Sequence, residues 1–558
     1  MLKLSAVCVA VLVLLGAPQA GAQPAAAAQS QQPQQALAAA IDASIGAYYK
    51  ADEPGATVIV VKDGKTVLRT AYGMADTIKG VKMTPDMALR LGSITKQYTS
   101  AAILMLAEEG KLALDDDITR HLPGYPTQGK KITIEHLLTH TSGIVSYTSK
   151  PGYAVNMAQD LSVAQMIDSI KNDPLEFEPG SRYRYNNSGY LLLGAIIEAI
   201  SGQPYAKFVE QRIFVPLGMT RTSYEGFERT PGPRAAGHTR SENGFGPARA
   251  LSMSQPYAAG SLVSTVDDLA RWDAAIGSGK LLKPASWKRA FTSYRLLDGK
   301  ETNYGYGWEL EKVRGLPVLV HGGAINGFST YAMRLPGQNV YVAVLANSDS
   351  GTVNPAVVAN RAAGIAIGKP YREFREVAIA PAALDGLPGN FEVEKGVQRV
   401  FRREGGSLVM QRSGRLPITL KALSANEFFV PGSLEYFEFR RDATGAVTQV
   451  EQHVDERILV QPRIGDAPPP RAAAKIAHAS FDSRVGRYQL APDVVLALSR
   501  EGERYFAQAS GQPKLEIFAQ DEAVFFARDI EVELRFDGAD SSHLVLHQNG
   551  RQVRALKL

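Results

Sequence analysis

Ser93 and Lys96 stand three residues apart in "LGSITKQYTSAAILMLAEEGKL", residues 91–112, at the mouth of a long apolar run. The run is apolar on nearly every side, which predicts a buried helix, and Gly110 stops it. At the start of such a helix, free backbone N–H groups and the positive end of the dipole favour a developing oxyanion at Ser93. One turn on, the Lys96 amine projects to the same side as the Ser93 hydroxyl. A lysine beside a serine in a partly dry pocket can lose its charge and take the hydroxyl proton, giving a nucleophile with its own base. The plain alternative is an N-cap serine followed by a surface lysine. Against it, this is the only S-x-x-K in the chain.

Such an enzyme also needs a proton relay and a grip on the substrate amide. "EPGSRYRYNNSGYLLLGAIIEAISG", residues 178–202, offers Tyr185 and Asn187 just before another apolar helix. A phenol relays a proton when a nearby Lys⁺ lowers its pKa, and an asparagine amide bonds a substrate carbonyl. Ser241-Glu242-Asn243, an S-x-N stretch, is a decoy for this element, since it sits in a Gly- and Arg-rich loop with no helix behind it. In "VLVHGGAINGFSTYAMRLP", residues 318–336, a β-rich run ends at His321-Gly322-Gly323. Glycines there let a substrate backbone lie close, and the Ala324 N–H pairs with that of Ser93 as an oxyanion hole. His321 adds a titratable group at the same edge. Tyr98, Asn326 and Asn347 are further candidates to line the cleft.

"SITK", "YNN" and "HGG", in this order, resemble the three motifs of serine β-lactamases and penicillin-recognising peptidases. The variety most similar is the class C β-lactamase-like family, with its D-aminopeptidases, D,D-carboxypeptidases and esterases. "LLTHTSGI" (137–144), "LLLGAIIEAISG" (191–202) and "AAGSLVSTVDDLARW" (258–272) are also similar to it, so the resemblance covers roughly residues 40–365. It implies Ser93 as the acylated nucleophile, Lys96 as its base partner and Tyr185 as the relay. Asn187, His321, Gly322, Gly323 and Ala324 then bind substrate. His321 stands where class C β-lactamases carry the lysine of K-T-G, and no K-[ST]-G exists in this chain. That departure favours the peptidase, amidase and esterase branches over drug resistance. No metal or organic cofactor is implied.

These residues need elements to hold them. "QQALAAAIDASIGAYYK" is a helix candidate, and "ATVIVVKDGKTVLRTAYG" a hairpin turning at Asp63-Gly64. Three β-rich runs between 317 and 347 and the helical "NPAVVANRAAGIAIG" follow much later. One antiparallel sheet built from both ends of this region, flanked by helices and with a helical insert, is expected: an α/β (α+β) domain over 35–370. From 384 the pattern becomes short alternating strands, broken at 465–475 by "GDAPPPRAAAK". The two halves repeat in a register of 97 residues: Gly389 with Gly486, Phe391 with Tyr488, "REG" at 403 and 500, Phe428-Phe429 with Phe525-Phe526, Phe439 with Phe536. Two small all-β units are expected, 384–464 and 482–558 with a linker at 465–481. They resemble the lipocalin-like barrels of D-aminopeptidase-type relatives.

A net charge of +5 spread over 558 residues is too diffuse for a nucleic-acid partner. Residues 1–22 read as an export signal, with Lys3, a short apolar core and "AGA" before Gln23. Cleavage there removes Cys8, the one cysteine, and residues 23–34 read as a flexible tether. The expectation is an exported, periplasmic or extracellular serine hydrolase without an integral membrane segment. Its substrate is a small molecule or peptide: a D-amino-acid peptide, a β-lactam or a short acyl ester. Its rivals are a penicillin- or muropeptide-binding module that acylates without turnover, and a scaffold with a vestigial hydrolase domain. The oligomeric state is not legible.

Overall fold

The computed structural model describes residues 23–558 apart from 151, 228–230, 242, 352, 414, 470–471, 492–493, 511–513, 529–531, 539 and 549–550. The expected export signal lies outside the described residues. Residues 23–34, expected as a tether, form the start of a helix, Gln23–Gly46. Alanine and glutamine are good helix formers, so the low complexity of this stretch does not prevent a helix.

The first domain is a six-stranded antiparallel sheet in the order Glu309–Val313, Leu316–Ile325, Phe328–Leu335, Val340–Ala346, Ala56–Lys62, Lys65–Tyr72. As expected, the hairpin from the start of the domain completes a sheet made by its end. Ala56 pairs with Ala346 and Lys62 with Val340. Asp63 and Gly64 both take positive φ, 51° and 72°, the two-residue turn that matches strand twist. One face of the sheet packs on Gln23–Gly46 and Pro355–Ala366 through Ile41, Ile45, Val58, Val320, Val342, Val358 and Ala362. The other face packs on the helical insert, whose central helix, Thr95–Glu108, is buried from Thr95 through Leu106. That all-round burial explains an apolar run with no polar face.

The two β units carry the repeat into three dimensions. Strands Gly389–Glu394, Val397–Glu404 and Ser407–Arg412 correspond to Gly486–Ala491, Val494–Glu501 and Arg504–Ala509, each 97 residues on. Core positions follow the same register: Phe401 with Leu498, Leu408 with Tyr505, Leu420 with Ile517, Phe428 with Phe525. In the last hairpin the register becomes 94. Phe439 pairs with Val450 in the first unit, and Phe536 with Leu544 in the second, because the preceding turn is shorter there.

The second unit is a closed eight-stranded barrel, whereas the first is a nine-stranded sheet with edge strands Ile418–Thr419 and Lys421–Ala422. Those edges are joined through Leu420, so the sheet returns on itself without closing its ladder. The linker expected at 465–481 is too long. His478–Asp482 is a short helix, and Phe481 is fully buried in the second core, stacked 4.2 Å from Tyr505. Leu384, 97 residues earlier, plugs the first core in the same way. The first unit is fastened to the first domain at the Asp455 turn. Asp455 Oδ1 accepts from the Arg314 N–H at 2.9 Å and from the Tyr371 hydroxyl at 3.0 Å. Arg372 also pairs with Glu427 at 2.7 Å.

This architecture makes the Pro/Ala stretch the weakest tie in the chain. Limited proteolysis should cut first within 465–475, and release of 476–558 should leave residues 35–465 folded. A first cut inside 389–460, mapped by mass spectrometry, would contradict it.

Candidate active site

Ser93 lies in a single 3-10 turn, Gly92–Ile94, that leads into helix Thr95–Glu108. Leu91 is the N-cap of that turn and Ile94 that of the helix, so Ser93 caps neither and the N-cap alternative does not hold. Lys96 is fully buried, so it is no surface lysine. Its Nζ donates to Ser93 Oγ at 3.2 Å, to Asn187 Oδ1 at 2.8 Å and to the Ala259 carbonyl at 2.9 Å. No carboxylate is among these partners. Burial without a counter-ion holds the Lys96 amine well below the ordinary lysine range, toward the neutral base.

Two adjacent asparagines divide the work at the next helix. Asn186 is the cap: its Oδ1 accepts from the Gly189 N–H at 2.9 Å. Asn187 is the first helical residue and turns its side chain into the site, Oδ1 to Lys96 and Nδ2 to Thr148 Oγ1 at 3.1 Å. Tyr185 lies just before the cap with 36% of its surface open. Its ring centroid is 4.8 Å from Lys96 Nζ. The expectation that a lysine cation lowers the phenol is corrected here. Burial drives Tyr185 well above its ordinary value, opposed by hydrogen bonding with Ser93, and Lys96 is itself pushed toward neutrality. The site therefore holds a neutral phenol and a basic amine around one hydroxyl.

The strand Leu316–Ile325 passes beside the Ser93 turn. Gly323 has no room for a side chain: a Cβ would lie 2.0 Å from the Leu91 carbonyl and 2.4 Å from Thr330 Oγ1. The backbone of Gly92, at φ 54°, passes close to that of Ala324, and a Cβ there would be 3.1 Å from the Ala324 nitrogen. Ala324 itself is exposed and Gly322 half-buried, so this strand presents backbone to the cleft beside Ser93.

His321 departs from its expected role as a substrate contact. It is 1% exposed. Its Nδ1–H donates to the Gly322 carbonyl at 2.6 Å, which leaves Nε2 to accept from the Tyr304 hydroxyl at 2.9 Å. Burial, then the neighbouring Lys96, lower it to about 3, so it is a neutral strut. Two other cleft candidates are also structural. Tyr98 is fully buried between Trp272, 4.3 Å away, and Phe214. Asn347 is buried and ties Met74, Ala75 and Ala236 carbonyls to the Gly55 N–H. Asn326, half-buried, bonds the Arg249 carbonyl at 3.0 Å. Ser241 lies on an exposed hairpin and bonds Gly244.

Sequence reasoning missed His140, inside the quoted "LLTHTSGI". It holds the backbone on both sides of Tyr185. Its carbonyl accepts from the Arg184 N–H at 2.9 Å, and its Nδ1 accepts from the Asn186 N–H at 3.0 Å. Its ring centroid lies 4.3 Å from that of Tyr185, the two planes tilted by 41°. Its φ of 59° is unusual for a non-glycine residue, and the surrounding contacts hold it there. Tyr257, at φ 42°, begins the turn that presents the Ala259 carbonyl to Lys96. A histidine before a Thr-Ser-Gly turn carries no spacing signal toward Tyr185, 45 residues on.

The Beta-lactamase family model matches residues 34–366. A penicillin-binding protein of Bacillus subtilis is 28% identical over 405 residues, 67% of this chain and 87% of that protein. A D-aminopeptidase of Gluconobacter oxydans is 27% identical over 428 residues, 74% of this chain and 77% of that protein. Among solved structures, the octameric penicillin-binding protein homologue from Pyrococcus abyssi superposes with a TM-score of 0.54 at 26% identity, covering 77% of this chain and 99% of that one.

His140→Phe keeps an aromatic ring but strips the acceptor from the buried Asn186 N–H. It should cost about 1–3 kcal/mol in denaturant unfolding and slow labelling of Ser93 by a fluorophosphonate. His140→Asn, which tolerates positive φ and restores an acceptor, should recover part of both.

Proposed function

Because the chain belongs to the Beta-lactamase family of serine hydrolases, we propose that it is an exported acyl-transfer hydrolase that opens amides or esters through a Ser93 acyl-enzyme. The observation that carries this reading is Lys96, buried without a counter-ion and hydrogen-bonded to Ser93 Oγ. As Ser93 Oγ bonds the substrate carbonyl carbon, its proton passes to the neutral Lys96 amine. The Ser93 and Ala324 N–H groups receive the oxyanion. When the tetrahedral intermediate collapses, the neutral Tyr185 phenol gives its proton to the leaving amine or alcohol and regains one from protonated Lys96. Asn187 orients the amine and offers its amide edge to the substrate. Water, activated by the same Lys96–Tyr185 pair, then attacks the ester and releases the acid and free Ser93.

His321 bears on substrate choice. A neutral, buried imidazole stands where β-lactam-hydrolysing relatives place a lysine, so no cation is fixed there for a substrate carboxylate. The favoured substrate is an amide or ester whose binding does not depend on a carboxylate at that place. The D-aminopeptidase relative makes an N-terminal D-residue amide the first to test. Among the described residues no helix is long and apolar enough to cross a membrane.

Hydrolysis of D-alanine p-nitroanilide, p-nitrophenyl acetate and nitrocefin by the purified chain tests the reading. Turnover of the anilide or ester is expected to exceed that of nitrocefin. Ser93→Ala should abolish both turnover and covalent labelling. A Ser93→Ala protein that still labels would sink the assignment. Tyr185→Phe should lower kcat by about 10²–10⁴, the usual worth of a positioned acid–base group.

The pH profile separates the two buried nitrogens. Activity requires neutral Lys96, so kcat/KM should rise with pH and reach its plateau well below the ordinary lysine range. His321, at about 3, should add no step between about pH 5 and 8. Its effect is on stability. Below about 6.5 the unfolded histidine binds a proton that the native ring refuses, so stability falls as pH drops from there toward about 3. His321→Gln should make that acid loss shallower in unfolding curves.

A further inference from the structure

A lysine amine must be aimed before it can act as a base. In its neutral form it has two N–H groups and one lone pair, and only the lone pair can take the Ser93 proton. Lys96 Nζ has three polar neighbours: Ser93 Oγ, Asn187 Oδ1 and the Ala259 carbonyl. Asn187 Oδ1 and the carbonyl can only accept, so they take the two N–H groups and leave the lone pair facing Ser93. Asn187 is fixed from its own side chain, through Thr148 and the head of helix Asn187–Ser201. The Ala259 carbonyl has no such handle. It stays in place only as firmly as the turn Tyr257–Gly260 is held.

That turn lies against helix Thr95–Glu108, the helix that carries Lys96. Thr99, three residues after Lys96 and fully buried, reaches across to it. Its Oγ1 lies 2.6 Å from the Ala258 carbonyl and 2.7 Å from the hydroxyl of the fully buried Tyr205. A carbonyl can only accept, so the one Thr99 proton goes to Ala258 and the Tyr205 O–H donates to Thr99. This chain of hydrogen bonds ends one peptide before the carbonyl on Lys96. Thr95 fastens the far side of the turn, its Oγ1 accepting from the Leu262 N–H at 3.2 Å. The turn needs such fastening, because Tyr257 begins it at a φ of 42°, a conformation that persists only where its surroundings impose it. Part of that imposition is space: a Cβ on Gly194 would lie 2.3 Å from Tyr257 Cε1 and 2.6 Å from Ala258 Cβ.

We propose, on the reading of Ser93 and Lys96 as nucleophile and base, that Thr99 and Tyr205 are positioning residues which hold the Ala259 carbonyl so that the Lys96 lone pair is aimed at Ser93. Both are fully buried, so they act through the turn and not on a substrate. The other titratable groups facing Lys96 cannot take over this task. Tyr185 and Tyr190 present ring faces, their centroids 4.8 and 5.3 Å from Nζ. His140 and His321 are held neutral by burial and by Lys96 itself. Among the described residues no carboxylate pairs with Lys96. Loosening the turn then has two separate effects. The amine turns more freely, so fewer lone pairs face Ser93 and the reaction slows at every pH. The ammonium form, which uses all three acceptors, loses more than the amine does, so Lys96 becomes neutral at lower pH.

The rate of fluorophosphonate labelling of Ser93 across pH, followed by intact-protein mass spectrometry of the full chain, reads both effects. In Thr99→Val the plateau rate should fall about tenfold, the worth of one hydrogen bond to a charged group. The rise of the rate with pH should also begin at lower pH than in the natural chain. Thr99→Ser keeps the hydroxyl and should restore both. Tyr205→Phe frees the Thr99 hydroxyl to swing to the Thr95 carbonyl, 3.4 Å away, and should move both in the same direction by less. It serves as the test if Thr99→Val does not fold. A rate and rise unchanged in these variants, a slower rate with the rise in its original place, a rise moved to higher pH, or no recovery in Thr99→Ser would each overturn the positioning role. In all of these the natural chain still labels, so the acyl-enzyme reading stands. A natural chain whose Ser93 does not label overturns both.

Discussion

Burying an ammonium group with no carboxylate beside it is the constraint on which the rest of the catalytic domain depends. A buried, unpaired charge is costly to keep, so burial pushes Lys96 toward the neutral amine, with its hydrogen-bonding capacity used. Three separate parts of the chain supply that: Ser93 from its own turn, Asn187 from the head of the next helix, and the Ala259 carbonyl from a turn begun by Tyr257 at positive φ. Each partner is brought by packing of apolar helices, so the hydrophobic insert positions the base as well as building a core.

The same economy recurs around it. His140 holds Tyr185 through backbone bonds on either side and through its ring, and it is itself buried and driven to the neutral form by burial and by Lys96. His321 is neutral for the same reasons and braces Tyr304. A site of one amine, two neutral imidazoles and raised phenols carries little fixed charge. In the proposed reaction, the charge that develops on a substrate oxygen would meet backbone N–H groups with little competition, which is where preorganised donors are most effective. The close passage of Gly323 under Leu91 brings that strand near enough for this to happen.

The β units illustrate how differently two copies of one pattern can be filled. Their core positions agree residue by residue, and the plugs Leu384 and Phe481 extend the agreement beyond the strands. They diverge where the first unit buries Arg399, Gln452 and Gln461. The first unit is also the one anchored to the catalytic domain, through Asp455 and Glu427. Its place in the molecule is therefore fixed by specific bonds, while a Pro/Ala stretch alone separates it from the second.

Much was legible in the sequence because it was local. The S-x-x-K spacing put two side chains on one helical face, the Asp63-Gly64 turn announced a hairpin, and the 97-residue register announced a duplicated unit. Gly323 and Ala324 were legible as a place where backbone must come close. What the sequence left undetermined was environment. Spacing placed Lys96 beside Ser93, but only the packed structure decided that no counter-ion among the described residues reaches it. Spacing placed His321 at the strand edge, and only burial against Tyr304 turned a titratable candidate into a neutral strut. Tyr98 and Asn347 have the chemistry of site residues, and their depth in the core assigns them to packing and to a backbone staple. His140 acts across 45 residues of chain through contacts that exist only after folding. Residue type and short-range geometry are written in the sequence, whereas desolvation and long-range hydrogen bonding arise from what the fold places around each group.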